Sequence, residues 1–551
     1  MSSKVNQRRR LCKAAGVVAI FAFGGPGCTT LKTASPAPSN AKPTIASAVP
    51  VPAPTGDEPP LAPREFRAAW VSTVANIDWP SRSNLSVARQ QAEAIAILNR
   101  AQALNLNAIV LQVRPSADAI YPSSLEPWSE YLTGQQGRAP QPLYDPLAFW
   151  ITEAHARGLE LHAWFNPYRA RHATAKTPLA ANHIANIRPD TVKPYGRYLW
   201  MDPGEAAAAR HTQDVILDVV RRYDIDGVHI DDYFYPYPID AGLDDVQDAD
   251  TGSKLRGQLD FPDQLSWQRY LLEGGELTRA GWRRQNVNSL IEALYHGIHR
   301  EKSWVRFGIS PFGIGRPDRR PPGIVGFSQY DQLYADAELW LAKGWLDYLA
   351  PQLYWPIAQK PQAFDVLLDY WLAQNPHGRH IWPGLFTSRI DNTARSFLPE
   401  EIVQQIALTR SRAGVNGQVH FSIAALMENR KGISDQLMAN SYQSAALVPA
   451  TPWLGAKLPL APTVVVRRTS GAHSLSLKAA NGNAPARYAI WSRYGAQWRF
   501  TTVPAGRSGW SVPDDERSGP ANAIVVSAVD RLGNESARVD VLRSAALALA
   551  L

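Results

Sequence analysis

The feature that most constrains this chain is an alternation. From Arg64 onward, short β-branched or apolar runs alternate eight times with stretches of helical character. The strand candidates are Phe66 to Val74, Asn107 to Val113, Leu159 to Phe165, Asp226 to Ile230, Val305 to Ser310, Asp347 to Tyr354, His380 to Leu385 and Gln418 to Ile423. Helix ends between them carry explicit signals. Asp145-Pro146 opens one helix and Gly158 closes it, Asp202-Pro203 opens another, and Pro399-Glu400-Glu401 opens a third with Gly414 beyond its end. Eight strand-helix repeats point to an α/β fold, a (β/α)8 TIM barrel, rather than an open sheet.

Side chains alternate along an extended chain, so each strand can be split into two faces. Ile109, Leu111 and Val113 oppose Gln112 and Arg114. Leu161, Ala163 and Phe165 oppose His162, Trp164 and Asn166. Leu349, Pro351 and Leu353 oppose Gln352 and Tyr354, and Val419, Phe421 and Ile423 oppose His420 and Ser422. One face suits packing under helices. The other brings polar and aromatic groups into the barrel near the strand C-termini, where such barrels place their chemistry. For any one residue, such as His420, a satisfied interior polar group is the simpler explanation, but several strands agree.

At 551 residues the chain exceeds what one core normally supports. After Trp453 the texture changes to about seven short strands separated by Gly, Asn, Pro and Asp, which predicts a β-sandwich over 455–551. Its Ala528-Val-Asp-Arg-Leu-Gly-Asn-Glu-Ser536 stretch resembles the end of fibronectin type III-like modules, with positioning of the barrel favoured over glycan binding as its role. The barrel is expected over 64–445. Residues 233–283 read as a long connection, a lid or subsite wall, whose acids, Asp260 and Asp263 among them, are expected to be solvated.

The N-terminus reads as an export signal. A basic start leads into the apolar or small residues Ala14 to Gly27, too short for a comfortable membrane span, and ends at Cys28. Residues 1–28 thus resemble a lipoprotein signal with Cys28 as the lipidated residue. Gly25 and Pro26 depart from the usual pattern, so a simply cleaved signal stays open. Thr29 favours the periplasmic side of the outer membrane, reached through a lipid anchor. Residues 29–63 are rich in Pro and Ala, a composition from which a disordered tether is expected. The only two cysteines, Cys12 and Cys28, both lie in the leader, so the body has no internal disulfide and no cysteine-ligated metal. The net charge of +8 is diffuse outside the leader and does not read as a nucleic-acid footprint.

Within the barrel one motif stands apart. Asp226-Gly-Val-His-Ile-Asp-Asp-Tyr-Phe-Tyr-Pro236 ends a strand in two adjacent carboxylates followed at once by aromatics. With Phe66-Arg-Ala-Ala-Trp-Val71, Leu111-Gln-Val-Arg-Pro115, Ala163-Trp-Phe-Asn-Pro-Tyr-Arg169, Gly308-Ile-Ser-Pro-Phe-Gly313 and Tyr348-Leu-Ala-Pro-Gln-Leu-Tyr-Trp355, it resembles the glycosyl hydrolase-like 10 family. The resemblance implies a TIM barrel, an envelope location and glycosidase action on peptidoglycan glycan strands lacking stem peptides. It also implies a setting at the division site, with cell-division proteins as possible partners.

Glycosidases need a proton donor for the leaving oxygen and a second group for the oxocarbenium-like centre. Asp231 and Asp232 are the catalytic candidates. The favoured reading has Asp231 orient or stabilise and Asp232 act as acid/base, similar to substrate-assisted N-acetylglucosaminidases. Its rival has Asp231 attack, as on the fourth strand of α-amylase-type barrels, although Val305 to Gly313 carries no partner acid. Asp118, Asp263 and Glu428 are further acids without a place. Arg114, His162, Asn166, His229, Gln352 and Tyr354 are candidates to hydrogen-bond the sugar. Trp164, Tyr168, Tyr233, Tyr235 and Trp355 are candidates to stack on it. No cofactor or metal is expected, since neither a His-x-His pair on the first strand nor a His-Glu-x-x-His occurs; the rival metal-hydrolase reading requires His162, His229, Asp231 and His420 to converge. A non-catalytic glycan-binding lipoprotein and a hydrolase of another polysaccharide are the alternatives.

Overall fold

The computed structural model describes residues 57–240, 258–481 and 484–542. Cys28, the leader and nearly all of the tether lie outside them. No helix among the described residues is long and apolar enough to cross a membrane.

All eight expected strand positions carry strands. In chain order these are β1 (Phe66–Val71), β2 (Ala108–Arg114), β3 (Glu160–Phe165), β7 (Gly227–Ile230), β8 (Arg306–Ile309), β9 (Tyr348–Leu349), the pair β10 (His380–Ile381) and β11 (Gly384–Leu385), and β12 (Gly417–His420). Between β3 and β7 a small antiparallel sheet forms from β4 (Arg169–Arg171), β5 (Val192–Tyr195) and β6 (Tyr198–Met201). The large sheet is parallel and runs β10-β9-β8-β7-β3-β2-β1-β12-β11. Its two outermost strands are consecutive in the chain, separated only by Trp382-Pro383. The Trp382 and Gly384 amides donate to β9 and the residue that follows it but one, while the Val419 and Phe421 amides return to Pro383 and Leu385.

The two strand faces bury separate clusters. Ile109, Leu111, Leu161, Ala163, Val228 and Ile309 pack with helix residues such as Leu98, Trp150, Val215 and Ile291. The opposite face gathers Phe66, Trp70, Val110, Trp164, Tyr348, Trp382 and Val419 into a second cluster inside the curl. Gly308 makes room for this interior. A β-carbon there would lie 1.9 Å from the Tyr348 ring, which extends past it so that its hydroxyl meets His162 and His229 at 2.9 and 3.0 Å.

Helix signals hold with one shift. Asp145 caps the helix Pro146–Ala156 by accepting from the Ala148 amide, and the helix Pro399–Arg410 starts at its proline. After Asp202-Pro203, however, the helix begins only at Ala206, because Asp202 spends its Oδ1 on the Gly204 amide in a turn. Part of the stretch expected to be a loop after β7 is helical, over Gln264–Leu272 and from Arg279. Asp263 there is fully buried and ion-paired to Arg279 and Arg283 rather than solvated, and Asp260 also pairs with Arg283.

The C-terminal region folds as two antiparallel sheets. One contains β13 (Thr463–Thr469), β14 (Ala472–Lys478) and β17 (Gly509–Pro513). The other contains β15 (Arg487–Tyr494), β16 (Gln497–Pro504), β18 (Ala523–Val529) and β19 (Val539–Asp540). Leu475, Leu477 and Val512 from the first share a core with Tyr488, Ile490, Ile524 and Val526 from the second. This region meets the N-terminal ends of the large sheet's strands. Arg306 at the start of β8 donates to Thr451 Oγ1 and to the Arg531 carbonyl, and Trp453 Nε1 donates to Asp347.

Candidate active site

The register of β3 against β7 builds the centre of the site. Phe165 pairs with Ile230, so Asn166 and Asp231 come next to each other just beyond the paired residues. Asn166 Nδ2 donates to Asp231 Oδ2 at 3.2 Å, and Trp164 Nε1 donates to the same oxygen at 3.0 Å. Asp231 Oδ1 is buried without a well-formed hydrogen bond. Asp232 accepts from the Tyr237 hydroxyl at Oδ2. Both carboxyls are nearly sealed, at 4% and 3% exposure.

Burial disfavours the charged form of a carboxyl, and a neighbouring carboxylate adds to the effect. Burial pushes Asp231 up to about 7, with Arg169 opposing and Asp232 adding. Burial likewise raises Asp232 to about 6, with the Tyr237 hydrogen bond opposing. Two adjacent acids thus titrate around neutrality, the condition for one to hold a proton while the other is ionised.

Aromatic side chains flank the pair. Tyr233 and Tyr237 follow β7, Tyr237 stacks on Phe327 at 5.1 Å, Phe327 meets Phe312, and Phe312 meets Trp355. A second group joins Tyr354 to Phe386 at 4.8 Å and to Phe421 at 5.6 Å. All these rings except the strand-end His420 neighbour Phe421 lie in connections leaving strand C-termini, and all are partly exposed. Partly exposed rings beside buried acids form the kind of surface on which sugar faces stack. Gln352 Nε2 donates to the Ser310 carbonyl at 2.9 Å and its side chain also holds Asp232's pKa down.

Other sequence-predicted residues do not reach this centre. Arg114 is fully buried, with its guanidinium on Glu126 and on the Asn166 and Pro167 carbonyls, so it supports the turn that carries Asn166 instead of meeting a sugar. His162 bonds Tyr348 and Glu160, and His229 bonds Tyr348, Ser310 and Trp70. Both are fully buried on the correct face but too deep. Tyr168 and Tyr235 belong to the core under the helices. Trp164 and Asn166 direct their polar atoms at Asp231. His420 bonds Thr387 and Tyr442, so the three histidines do not converge. Among the other acids, Glu428 is exposed and paired with Arg430, and Asp118 is buried and raised to about 7 by that burial.

Three residues near the site escaped the sequence reading. Arg169 acts electrostatically on both acids, Tyr237 binds Asp232, and Asp78, raised to about 6 by burial, ties the segment after β1 to Ser422 after β12. Arg169 already stood in the quoted Asn166-Pro-Tyr-Arg motif, which was the available signal. Tyr237 and Asp78 lie in connections where alternation carries no information.

Comparison with known proteins gives the family. The sequence pattern of the family described as glycosyl hydrolase-like 10 matches residues 65–398. Glycosyl hydrolase YngK of Bacillus subtilis (strain 168) is 39% identical over 489 residues, covering 86% of this chain and 92% of that protein. Glycosyl hydrolase DigH of Escherichia coli (strain K12) is 34% identical over 341 residues, covering 58% of this chain and 73% of that protein. Among solved structures, the PgaB (BpsB) glycoside hydrolase domain from Bordetella bronchiseptica is similar at 13% identity with a TM-score of 0.43, covering 68% of this chain and 98% of that one. Since the family pattern covers more than half of the residues and a relative aligns along nearly its whole length, this chain belongs to the glycosyl hydrolase-like 10 family.

Proposed function

We propose that the protein is an exported glycoside hydrolase that cuts N-acetylated glycan strands, foremost peptidoglycan strands freed of stem peptides, with Asp231 and Asp232 as its catalytic acids. The observation that carries this reading is the pair of adjacent, buried carboxyls that titrate near neutrality between aromatic walls. The two titrations favour Asp231 as the proton donor, the reverse of the sequence expectation. Asp231 keeps its proton to about 7, above Asp232 at about 6, so between those values it is the member of the pair that holds the proton for the leaving glycosidic oxygen. Asp232, its charge supported by the Tyr237 hydroxyl, then faces the developing positive charge or the acetamide that neutralises it.

In the same proposal the curled sheet is a closed (β/α)8 barrel over 64–445, and residues 455–551 are a fibronectin type III-like sandwich that supports the barrel. Export through residues 1–28, lipidation at Cys28 and a tether over 29–63 would hold the enzyme on the periplasmic side of the outer membrane, with cell-division proteins as partners.

The test uses purified strands without stem peptides and reads new reducing ends. Asp231→Asn and Asp232→Asn should each lower the rate by about a thousandfold, within the usual range for a lost general acid or base, while the fold persists by circular dichroism. Wild-type rates in either folded variant would refute the assignment. Saturable strand binding by the wild type without new reducing ends would replace the enzyme with a glycan-binding protein.

A further inference from the structure

We infer that Arg169 is the carboxylate-binding element of the cleft, so that the preferred strand carries an acidic sugar beside the bond that is cut. The inference rests on the glycosidase reading for the word "cut" but not for the recognition itself.

Arg169 is a buried cation, 3% exposed. Burying a charge is costly unless it is paired. Among the other buried arginines, Arg67, Arg114, Arg283 and Arg306 each close on a carboxylate, Glu65, Glu126, Asp263 and Glu160 respectively, while Arg487 on β15 of the C-terminal region closes on none. Nor does Arg169 close on one. Its Nε donates to the Pro115 carbonyl at 3.0 Å and its plane lies over the Tyr233 ring at 4.8 Å. Among the described residues, its two terminal nitrogens meet no acceptor and no carboxylate within ion-pair distance, and neither is sealed from solvent.

An arginine has five N–H donors, and only the Nε one is used here. The four that remain form the planar fork that matches a carboxylate's two oxygens. A sugar hydroxyl would satisfy one donor and leave the charge uncompensated. The group is also held in place. The Arg169 amide donates to Asn166 Oδ1 at 2.9 Å, and the same Asn166 side chain holds Asp231, so fork and acid are tied to one residue. The cation acts electrostatically on Asp231 and Asp232, which places its field at the reacting centre.

A carboxylate on an N-acetylated glycan can be a lactyl ether, as on a muramoyl sugar, or the C6 group of a uronic acid. The experiment separates the two. Wild-type, Arg169→Gln and Arg169→Lys full-length proteins are assayed for reducing ends on muramoyl strands with free carboxylates, the same strands after conversion of the carboxylates to neutral amides, hyaluronan oligosaccharides, and neutral N-acetylglucosamine oligomers. The wild type should favour at least one acidic strand over the neutral ones by about ten- to a hundredfold in kcat/KM, the worth of a charged hydrogen-bonded contact. Whichever acidic strand is favoured identifies the source of the carboxylate. Arg169→Gln should bring that ratio to near one, and Arg169→Lys should restore only part of it because charge returns without the fork. The ratio cancels any change that the substitutions cause in Asp231 or Asp232, since both strands are cut by the same acids. A wild-type ratio near one, or a ratio unchanged in Arg169→Gln, would overturn the inference. If the wild type cuts none of the strands, the glycosidase reading fails separately, and binding of the same strands then decides the arginine's role. Binding preference for the acidic strand lost in Arg169→Gln supports it, and equal binding overturns it.

Discussion

The two ends of the large sheet bury the same kind of side chain and treat it in opposite ways. At the N-terminal ends, Glu65 lies between Arg67 and Arg410, Glu160 meets Arg306 at 3.0 Å, Asp226 accepts from His155 and the Leu161 amide, and Asp347 accepts from the Phe307 amide, Trp453 and His299. Burial alone would raise these carboxyls, but their cationic partners outweigh it and hold Glu65, Glu160 and Asp226 below the ordinary range. At the C-terminal ends Asp231 and Asp232 are as buried, receive only neutral hydrogen bonds, and rise to about 7 and about 6. Burial is common to both ends, so pairing decides the difference. A paired carboxylate fixes the fold, and an unpaired one retains a proton that can be given away.

The most severe way to break this contrast is to neutralise a floor carboxylate. Glu160→Gln leaves the Arg306 cation buried without its partner, and the expected loss is about 3–5 kcal/mol of folding stability, read as a lower denaturation midpoint, with strand cleavage per folded molecule little changed. A stability loss of only a few tenths would mean that the floor pairs are as dispensable as surface ones.

The pH dependence of stability sharpens the contrast next. Asp231 binds its proton up to about 7 in the folded state, whereas the unfolded side chain releases it near pH 4. Between those values the folded state holds the extra proton, so the contribution of Asp231 to stability falls as pH rises and levels off above about 7. Asp231→Asn should abolish a decline of roughly 4 kcal/mol across that window, measured by denaturation at stepped pH. Asp226 has the opposite sign. Its depressed pKa contributes stability that is present above the unfolded value and lost as acid protonates the folded group. Asp226→Asn should therefore destabilise at pH 7 and lose most of its effect in strong acid.

Smaller effects belong to the walls. Tyr354→Ala removes a partly exposed ring that stacks on Phe386 and Phe421, and KM for strands should rise about fivefold, in line with ~1 kcal/mol for an aromatic contact, with kcat within a few-fold. Tyr237→Phe removes the donor that favours ionised Asp232, so the lower limb of the pair's pH profile should move upward by a fraction of a unit. A downward shift would contradict the hydrogen-bond direction.

Alternation made the strands legible because a parallel sheet under helices imposes a period of two on every strand, and Trp164 and Asn166 were placed on the face that meets Asp231 for that reason. The same rule could not give depth along the curl. His162 and His229 share that face with Asp231 but sit below it, spanned by Tyr348, whose reach depends on the space left by Gly308. Arg114 looked like a ligand because nothing local announces that Glu126, twelve residues on, folds back onto it. Arg169 and Tyr237 lie beyond the ends of the large sheet's strands, where contacts follow from how the chain turns and not from sequence spacing. Asp263 was taken for a solvated loop acid because the helix that supplies Arg279 and Arg283 begins well after it.

Asp231 and Asp232 are proposed to work as a couple near neutrality, and the pH profile of kcat/KM on strands freed of stem peptides is the decisive measurement. The expected profile is a narrow bell whose limbs fall near 6 and 7 and belong to the pair jointly, with the bell lost in the residual activity of Asp232→Asn. A flat profile through that range, or limbs near the ordinary carboxylate value of about 4, would contradict it.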